Sequence, residues 1–340
     1  MKRLTAISLA LIIFTLFFCN SSEKTVYKKG SQEYEFLTST ADSLNLPVLS
    51  PENNVTLITT TEFTIRNLDI MPELYSTFYN YKDRIQNLPA EHLKSLVQRI
   101  ADQTAANKMF LAAAEEKDIT IDESDIEVEM ERIAEKYGGK ENFKTALDKN
   151  NIAEEQFRED VKSSLIVRTY ISDYYYNNVS VPEEAIKKWY NNTFATVRHI
   201  LLMTQDKSEE EKEKIHTKME QILKEAKSGK DFAKLAEKYS EDPGSKDKGG
   251  LYEHFPRGQM VKPFEEAAFN IPVGSISDIV TTQYGYHIIK VIDRTQDPRP
   301  YEEAKKEIHS QLAQQKNPNI YPQIVDSLKQ SYSYEMVYNQ

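Results

Sequence analysis

Hydrophobic residues recur about every 3.6 positions between residues 67 and 191, and this spacing predicts a succession of amphipathic helices. One helix precedes Pro89, and a second, long helix follows it. Thr120 or Asp122 is expected to cap a third helix, which the glycine pair at 138–139 ends. Further helices are predicted at 141–149, 154–176 and 182–191. This part of the chain is therefore predicted to be mainly helical.

Two short β-rich segments flank the helices and predict strands. Val55–Thr60 precedes them and alternates weakly. Tyr332–Tyr338 follows two more predicted helices, at 301–315 and 321–330. Before Val55, residues 20–54 are polar and show little periodicity, so they are predicted to form a tether or a poorly ordered arm.

The stretch from Val197 to Arg294 has a different pattern. Two strand-like segments, Val197–Met203 and Tyr286–Ile292, each carry one histidine, His199 and His287. Between them lie a charged helix, a Ser-Glu-Asp-Pro-Gly-Ser turn, a glycine pair, and the apolar residues Phe255, Met260 and Phe264. If the two strands are neighbours, the imidazoles meet above an apolar pocket. Strands and helices together predict an α+β protein.

The N-terminus has the features of a secretory signal. Lys2 and Arg3 precede Leu4–Phe18, an apolar run of about fifteen residues that is short for a membrane span. Residues 1–19 are therefore predicted to be a signal peptide, and the chain is predicted to be exported to the periplasm or cell envelope.

Cys19 stands where the apolar run ends, the place of the lipidated residue in a bacterial lipoprotein. A lipid there would attach the protein to a membrane. Phe18 departs from this pattern, because a small residue is expected before the cysteine. The alternatives are cleavage near Ser21 or Ser22, or an uncleaved anchor.

Composition narrows the functional classes. The length of 340 residues suggests two or three domains. A formal charge of −10 without a Lys/Arg block disfavours a nucleic-acid partner. With a single cysteine the chain forms no internal disulfide. Its six histidines show no zinc-binding motif and no glycine-rich phosphate loop is present, so neither a metal nor another cofactor is expected.

The order of residues from Val197 to Arg294 resembles a parvulin-type peptidyl-prolyl cis/trans isomerase domain. The resemblance implies a four-stranded antiparallel sheet flanked by helices. It also implies catalytic roles for the histidine pair His199 and His287, for Asp242 beside the target carbonyl, and for Thr282, whose hydroxyl holds a histidine. The substrate-binding residues would be Met260 and Phe264 on the floor of the proline pocket, Phe255 on its wall and Tyr252 at its rim.

Two features depart from the parvulin pattern. Where parvulins usually read Gly-Gly-Asp-Leu-Gly, this chain reads Gly-Gly-Leu-Tyr-Glu over residues 249–253. Tyr252 thus replaces an apolar leucine at the pocket rim, and Glu253 replaces a glycine. Tyr284 also stands where several relatives have a small or polar residue. These changes are expected to affect the activity level and the residue preferred before proline more than the fold.

The flanking helices resemble the chaperone module of SurA and PrsA, exported folding factors in which that module carries a parvulin domain. The resemblance implies a chaperone module over residues 55–192, an isomerase domain over 194–295, and a C-terminal segment over 300–340 that completes the module. Tyr332–Val337 is therefore expected to pair with Val55–Thr60.

Three hypotheses follow for the function. The first is a peptidyl-prolyl isomerase and chaperone that assists folding of exported or outer-membrane proteins. The second is a holdase chaperone whose parvulin domain only binds peptide, with weak or no catalysis. The third is an envelope protein with no folding role. The expected partners are unfolded or proline-containing exported polypeptides, and the sequence leaves the oligomeric state open.

Overall fold

The computed structural model describes residues 27–150 and 152–338, so the predicted signal peptide and Cys19 lie outside it. Its helices are α1 Gln32–Leu44, α2 Met71–Asn80, α3 Ala90–Glu115, α4 Glu123–Lys136, α5 Lys140–Lys149, α6 Glu154–Asn178, α7 Glu183–Tyr190, α8 Glu209–Lys227, α9 Phe232–Tyr239, α10 Lys262–Asn270, α11 Tyr301–Lys316 and α12 Ile320–Ser331. Its strands are β1 Thr56–Thr59, β2 Thr64–Arg66, β3 Phe194–Met203, β4 Leu251–Pro256, β5 Val280–Thr282, β6 Gly285–Thr295 and β7 Glu335–Met336. Among these helices none is both long and apolar enough to span a membrane.

The chain folds into two compact units. The central unit spans Val179–Ala313, and the terminal unit combines residues 27–178 with residues 314–338. The sequence places α7 and α11 in the chaperone module, whereas both α7 and most of α11 belong to the central unit. Trp189 of α7 packs against Arg257 of the central unit, whose guanidinium carbon lies 4.5 Å from its ring, and hydrogen bonds join α7 to the region of α11. The Tyr190 hydroxyl donates to the carbonyl of Arg299, and the Tyr301 hydroxyl donates to Glu183, each over 2.7 Å.

The terminal unit contains a small antiparallel sheet in the order β2-β1-β7. Ile58 lies opposite Met336, so the predicted pairing of the two distant β-rich segments is confirmed. Leu57, Ile58 and Ile65 are fully buried against α1, α2 and α3. The C-terminal strand thus joins a core built mostly from the first hundred residues.

The prediction of a tether over residues 20–54 is wrong for α1. Ser31 caps this helix through its side chain, which accepts from the backbone N–H of Tyr34. Tyr34, Leu37 and Ala41 are buried at a spacing of three and four residues, which is one face of a helix. That apolar face is narrow, so the helix is recognised only from its packing against the core of the terminal unit.

The predicted helices between residues 122 and 178 are present and enclose a separate small core. Ile126 of α4, Phe143 of α5, and Phe157 and Val161 of α6 are buried in it. Asp122 occupies the N-cap position of α4, but its side chain makes no capping hydrogen bond.

The central unit contains the predicted four-stranded antiparallel sheet, in the order β4-β3-β6-β5. Helices cover both faces of this sheet. Successive residues of a strand point to opposite sides, so one strand contacts helices on both faces. Ile200 and Leu202 of β3 pack with residues of α8 and α9. Ala195 and Val197 of β3 pack on the other side, with residues of α10. The predicted histidine positions lie on the two central strands.

A β-bulge interrupts the pairing of β4 with β3. Ala195 pairs with Phe255 and Val197 pairs with Tyr252, so Glu253 and His254 together oppose one residue. His254 adopts a left-handed backbone with φ of 46°. In a regular strand Tyr252 and Phe255, three positions apart, would point to opposite faces of the sheet. The bulge brings both side chains to the α10 side, where they pack in one apolar cluster.

Candidate active site

Two neighbouring strands position the histidine pair. His287 on β6 lies opposite Leu201 on β3, and His199 precedes Leu201 by two residues, so both imidazoles emerge on the same face. Their Nδ1 atoms are 3.4 Å apart and their rings are inclined by only 17°. Both side chains are buried. The sequence prediction that these imidazoles meet is therefore confirmed.

Two oxygen-bearing side chains hold the outer nitrogens of the pair. Nε2 of His199 lies 3.0 Å from Oδ2 of Asp242, and Nε2 of His287 lies 2.8 Å from Oγ1 of Thr282. The structure thus brings together the four residues that the parvulin resemblance singles out, in the linear order Asp242, His199, His287, Thr282.

The hydrogen bonds that link Asp242, His199, His287 and Thr282 all run in one direction when both imidazoles are neutral. The Asp242 carboxylate only accepts, so His199 donates through Nε2 and accepts through Nδ1. His287 then donates through Nδ1 and accepts at Nε2 from the hydroxyl of Thr282. The Thr282 oxygen in turn accepts from the backbone N–H of Tyr284 over 3.1 Å. Each ring therefore has a defined tautomer and orientation.

The electrostatic environment fixes the charge of Asp242 and of His287. The hydrogen bond from His199, followed by weaker contributions that include Ser245 and Tyr252, holds the pKa of Asp242 well below its usual range. Burial lowers the pKa of His287 to about 4, with a further contribution from the neighbouring imidazole. At neutral pH the site therefore contains an anionic Asp242 and an uncharged His287.

An apolar cluster adjoins the histidines. The ring of Phe264 stands edge-on to both imidazoles, with centroids 5.3 Å from His199 and 5.6 Å from His287. Phe255 lies 6.3 Å from Phe264, and both phenylalanines are buried. Met260 is only partly buried and packs against the same cluster. The predicted floor and wall residues therefore share one apolar cluster beside the histidines.

The loop that carries Asp242 is fastened to β3. The Ser240 hydroxyl accepts from the backbone N–H of both Leu201 and Asp242, at 3.2 and 3.3 Å. The backbone N–H of Glu241 donates to the carbonyl of Leu201 over 2.8 Å. These bonds explain how an irregular Ser-Glu-Asp turn can hold a carboxylate at a fixed place beside His199.

Ser245 is a site residue that the sequence reasoning missed. Its buried hydroxyl lies 2.9 Å from Nε2 of His199 and also donates to Oδ2 of Asp242. The available signal was local, because Ser245 is three residues after Asp242 in a turn already recognised as part of the pattern. Only the tertiary fold shows that this turn directs both side chains to the same imidazole.

Tyr252 makes contacts in the site that the sequence did not predict. Its ring lies against His199, with centroids 5.1 Å apart, and its hydroxyl donates to Oδ2 of Asp242 over 3.1 Å. Burial raises the pKa of Tyr252 to about 12, so this hydroxyl keeps its proton. Tyr284, the other departure, is 47% exposed and contributes its backbone N–H.

No three His, Cys, Asp or Glu side chains group as metal ligands within residues 27–150 and 152–338. The arrangement offers a fixed anion, two oriented imidazoles and an adjoining apolar cluster. Such a site can bind and polarise a peptide segment without forming a covalent bond.

Residues 184–295 match the protein family described as the PPIC-type PPIASE domain. The central unit is therefore a parvulin-type peptidyl-prolyl isomerase domain. The chain is 36% identical to foldase protein PrsA 4 of Bacillus cereus, over 61% of this chain and 68% of that protein. It is 34% identical to foldase protein PrsA of Geobacillus kaustophilus, over 73% and 79%. The chain belongs to the PrsA foldase family.

Among solved structures, the crystal structure of a PrsA peptidylprolyl isomerase from Bacillus cereus is similar, with 29% identity. The match covers 82% of this chain and 92% of that chain, with a TM-score of 0.35.

Proposed function

We propose that this chain is an exported folding factor of the cell envelope that isomerises Xaa-Pro bonds in unfolded polypeptides. The central observation is the pair of oriented imidazoles, held between Asp242 and Thr282 beside an apolar cluster. Isomerisation is limited by a barrier of about 18–20 kcal/mol, which arises from the partial double bond of the amide. No bond to carbon is made or broken, so the reaction needs neither a nucleophile nor a metal.

Phe255, Met260 and Phe264 would hold the proline ring. Their cluster removes water from around the amide, and a dry site favours the less polar, twisted amide over the planar one. Each 1.36 kcal/mol of such preference gives about tenfold in rate. Tyr252 at the rim would narrow the slot on the side of His199.

Asp242, His199, His287 and Thr282 would act electrostatically. A planar amide carries partial negative charge on its carbonyl oxygen, and twisting reduces that charge. An anionic Asp242 beside this oxygen disfavours the planar form more than the twisted form. The imidazoles and Thr282 keep the carboxylate and the pocket in a fixed relation, so that little reorganisation accompanies the reaction.

The terminal unit would hold unfolded client chains while the central unit acts on their prolines. Clients would be unfolded or proline-containing exported polypeptides, bound without nucleotide. We further propose that Cys19 carries a lipid that anchors the protein to the membrane, because this cysteine ends the apolar N-terminal run.

The test of catalysis is cis/trans exchange in Xaa-Pro tetrapeptides, measured by NMR with the full chain. We expect accelerated exchange that falls at least about tenfold in Met260→Ala, because that methionine contacts the proline ring. Met203→Ala is the matched control, since Met203 is an exposed methionine at the end of β3. If no peptide in a panel of residues before proline is accelerated, the proposed catalysis is wrong.

The chaperone role is tested separately with a client that contains no proline. A variant with both His199→Ala and His287→Ala should still suppress aggregation of this client, because the terminal unit contains neither residue. If suppression is lost although the variant folds, the proposed division of work between the units is wrong. Suppression without any isomerase activity in the wild-type chain would instead match a holdase with a silent parvulin domain.

A further inference from the structure

Asp242 receives all of its side-chain hydrogen bonds on one oxygen. Oδ2 accepts from Nε2 of His199, from the hydroxyl of Ser245 and from the hydroxyl of Tyr252. No group among the described residues donates to Oδ1. The side chain is 14% exposed, so it is neither sealed in the core nor free in solvent. A carboxylate held in this way has one fixed oxygen and one oxygen left for a substrate.

The two hydroxyl donors come from different parts of the central unit. Ser245 belongs to the turn after Asp242, and its carbonyl accepts from the backbone N–H of Lys248 and Gly250, at 2.9 and 2.8 Å. Gly250 in turn accepts from the backbone N–H of His199 over 2.8 Å. Ser245 is therefore fixed to β3 through its own backbone, which makes its hydroxyl a rigid donor.

Tyr252 reaches Asp242 from β4. The bulge at Glu253 and His254 lets this tyrosine lie on the same side of the sheet as Phe255. Its hydroxyl would meet a β-carbon placed on Gly244 at 3.1 Å, so the glycine leaves the space that the tyrosine occupies. Tyr252, which stands where parvulins usually have a leucine, is thus a direct hydrogen-bond partner of the Asp242 carboxylate.

We propose that Ser245 and Tyr252 are positioning residues of the isomerase, which together fix Asp242 through Oδ2 and direct Oδ1 toward the substrate. This inference rests on the proposed function of the central unit. Neither hydroxyl needs to touch the substrate. Both restrict the carboxylate to one orientation beside His199, so that its charge acts on the twisting amide from a constant position.

The proposal predicts a selective loss of kcat. Hydrogen bonds to charged groups are stronger than neutral ones, so Ser245→Ala should lower kcat about three- to tenfold and Tyr252→Phe about two- to fivefold. KM should change little, because Phe255, Met260 and Phe264 remain in place. Ser277→Ala is the matched control for Ser245→Ala, and Tyr286→Phe is the matched control for Tyr252→Phe, because each pair loses the same hydroxyl. Ser277 is a buried serine that accepts from Ile289, and Tyr286 packs against His216.

A mutant cycle distinguishes positioning from a general structural role. In the full-length Asp242→Asn variant the carboxylate is absent. Ser245→Ala or Tyr252→Phe added to this variant should therefore have less than half of the effect on kcat that the same substitution has in the wild-type background. Equal losses in both backgrounds would overturn the proposal. So would unchanged kcat in both single variants when Met260→Ala is strongly impaired. A wild-type chain without isomerase activity would instead contradict the proposed function itself.

An NMR measurement provides a second readout that does not depend on turnover. In the wild type, the ¹⁵N shifts of His199 should show the tautomer with the proton on Nε2. Ser245→Ala with Tyr252→Phe should weaken this preference or broaden the signal, because Asp242 gains other orientations. An identical spectrum in the double variant would overturn the proposal.

Discussion

The guanidinium carbon of Arg257 lies 4.5 Å from the ring of Trp189, the single tryptophan of the sequence. The same guanidinium lies 3.9 Å from the ring of Phe269, so an arginine is held between two aromatic side chains. Trp189 is buried in α7, which belongs to the central unit. Its fluorescence should therefore report unfolding of the isomerase domain without a contribution from the terminal unit.

Acid should destabilise the central unit through His287. Its pKa in the folded chain is lowered to about 4, mainly by burial, whereas the unfolded residue titrates near 6.5. Between these values the unfolded chain binds a proton that the folded chain does not, so stability falls as the pH is lowered from about 6.5 to about 4. The loss should reach at most about 3 kcal/mol. Urea unfolding followed by Trp189 fluorescence at several pH values measures it.

Other groups of the central unit, His309 and Asp242 among them, also bear on that measurement. The pKa of His309 is also lowered by burial, so it adds a slope of the same sign. The pKa of Asp242 is lowered, and the stability from that shift is present above the usual aspartate range and is lost only in stronger acid. The variant His287→Gln should therefore flatten the profile between pH 6.5 and 5 but keep the part due to His309. A slope equal to that of the wild type would contradict the assignment.

Asp160 should limit the stability of the terminal unit at neutral pH. It is buried in α6, its Oδ2 has no hydrogen-bond partner among the described residues, and burial raises its pKa to about 6. A raised carboxyl pKa means that the folded state favours the protonated form, so stability rises as the pH falls through 6 toward 4. Asp160→Asn should therefore stabilise this unit by about 1–2 kcal/mol at pH 7.

The gain from Asp160→Asn should shrink as the wild-type carboxyl becomes protonated. Far-UV circular dichroism in urea at pH 7 and pH 4.5 follows the transition that Trp189 does not report. Asp148→Asn on α5 is the control, because Asp148 is an exposed helical aspartate. A gain in stability that does not change with pH, or an equal gain in Asp148→Asn, would argue against a buried ionised carboxyl at Asp160.

Two glycines with similar backbones should differ sharply in their tolerance of alanine. Gly250 has φ of 74°, and a β-carbon there would lie 2.1 Å from the carbonyl oxygen of His199. Gly274 has φ of 85° with no atom within 4 Å of its β-carbon. Gly274→Ala should cost about 1 kcal/mol through backbone strain alone, whereas Gly250→Ala should cost more than about 3 kcal/mol. Unfolding curves followed by Trp189 fluorescence compare the two variants. Equal losses of stability would mean that the contact between β3 and the loop at Gly250 relaxes easily.

Removal of the residues after Ser331 should affect only the terminal unit. The deletion removes β7 and the buried Tyr332 and Tyr338, so the terminal unit should lose more than about 3 kcal/mol. Isomerase activity on tetrapeptides should persist, because the central unit ends at Ala313. Val337→Ala, which truncates an exposed side chain, should be neutral. Loss of tetrapeptide activity on deletion would contradict the independence of the central unit.

The sequence by itself determined the features that depend on local patterns. Regular spacing of apolar residues predicted most helices between Asp122 and Asn178, because apolar residues recur along one side of each. Two segments rich in β-branched and aliphatic residues predicted β3 and β6 and placed one histidine on each. The ordered parvulin pattern predicted which side chains would surround the imidazoles. The helix and strand signals are carried by neighbouring residues, whereas the parvulin pattern spans Val197–Arg294 and comes from a family resemblance.

Tertiary structure alone decided the features that depend on distant residues. The narrow apolar face of α1 becomes visible only against its core, and α7 joins the central unit through bonds to residues more than a hundred positions away. The bulge in β4 turns Tyr252 toward Asp242, and the fold places Ser245 on the same carboxylate oxygen. Hydrogen-bond geometry is set by packing across the sheet, so residue type and spacing along the chain did not reveal these contacts.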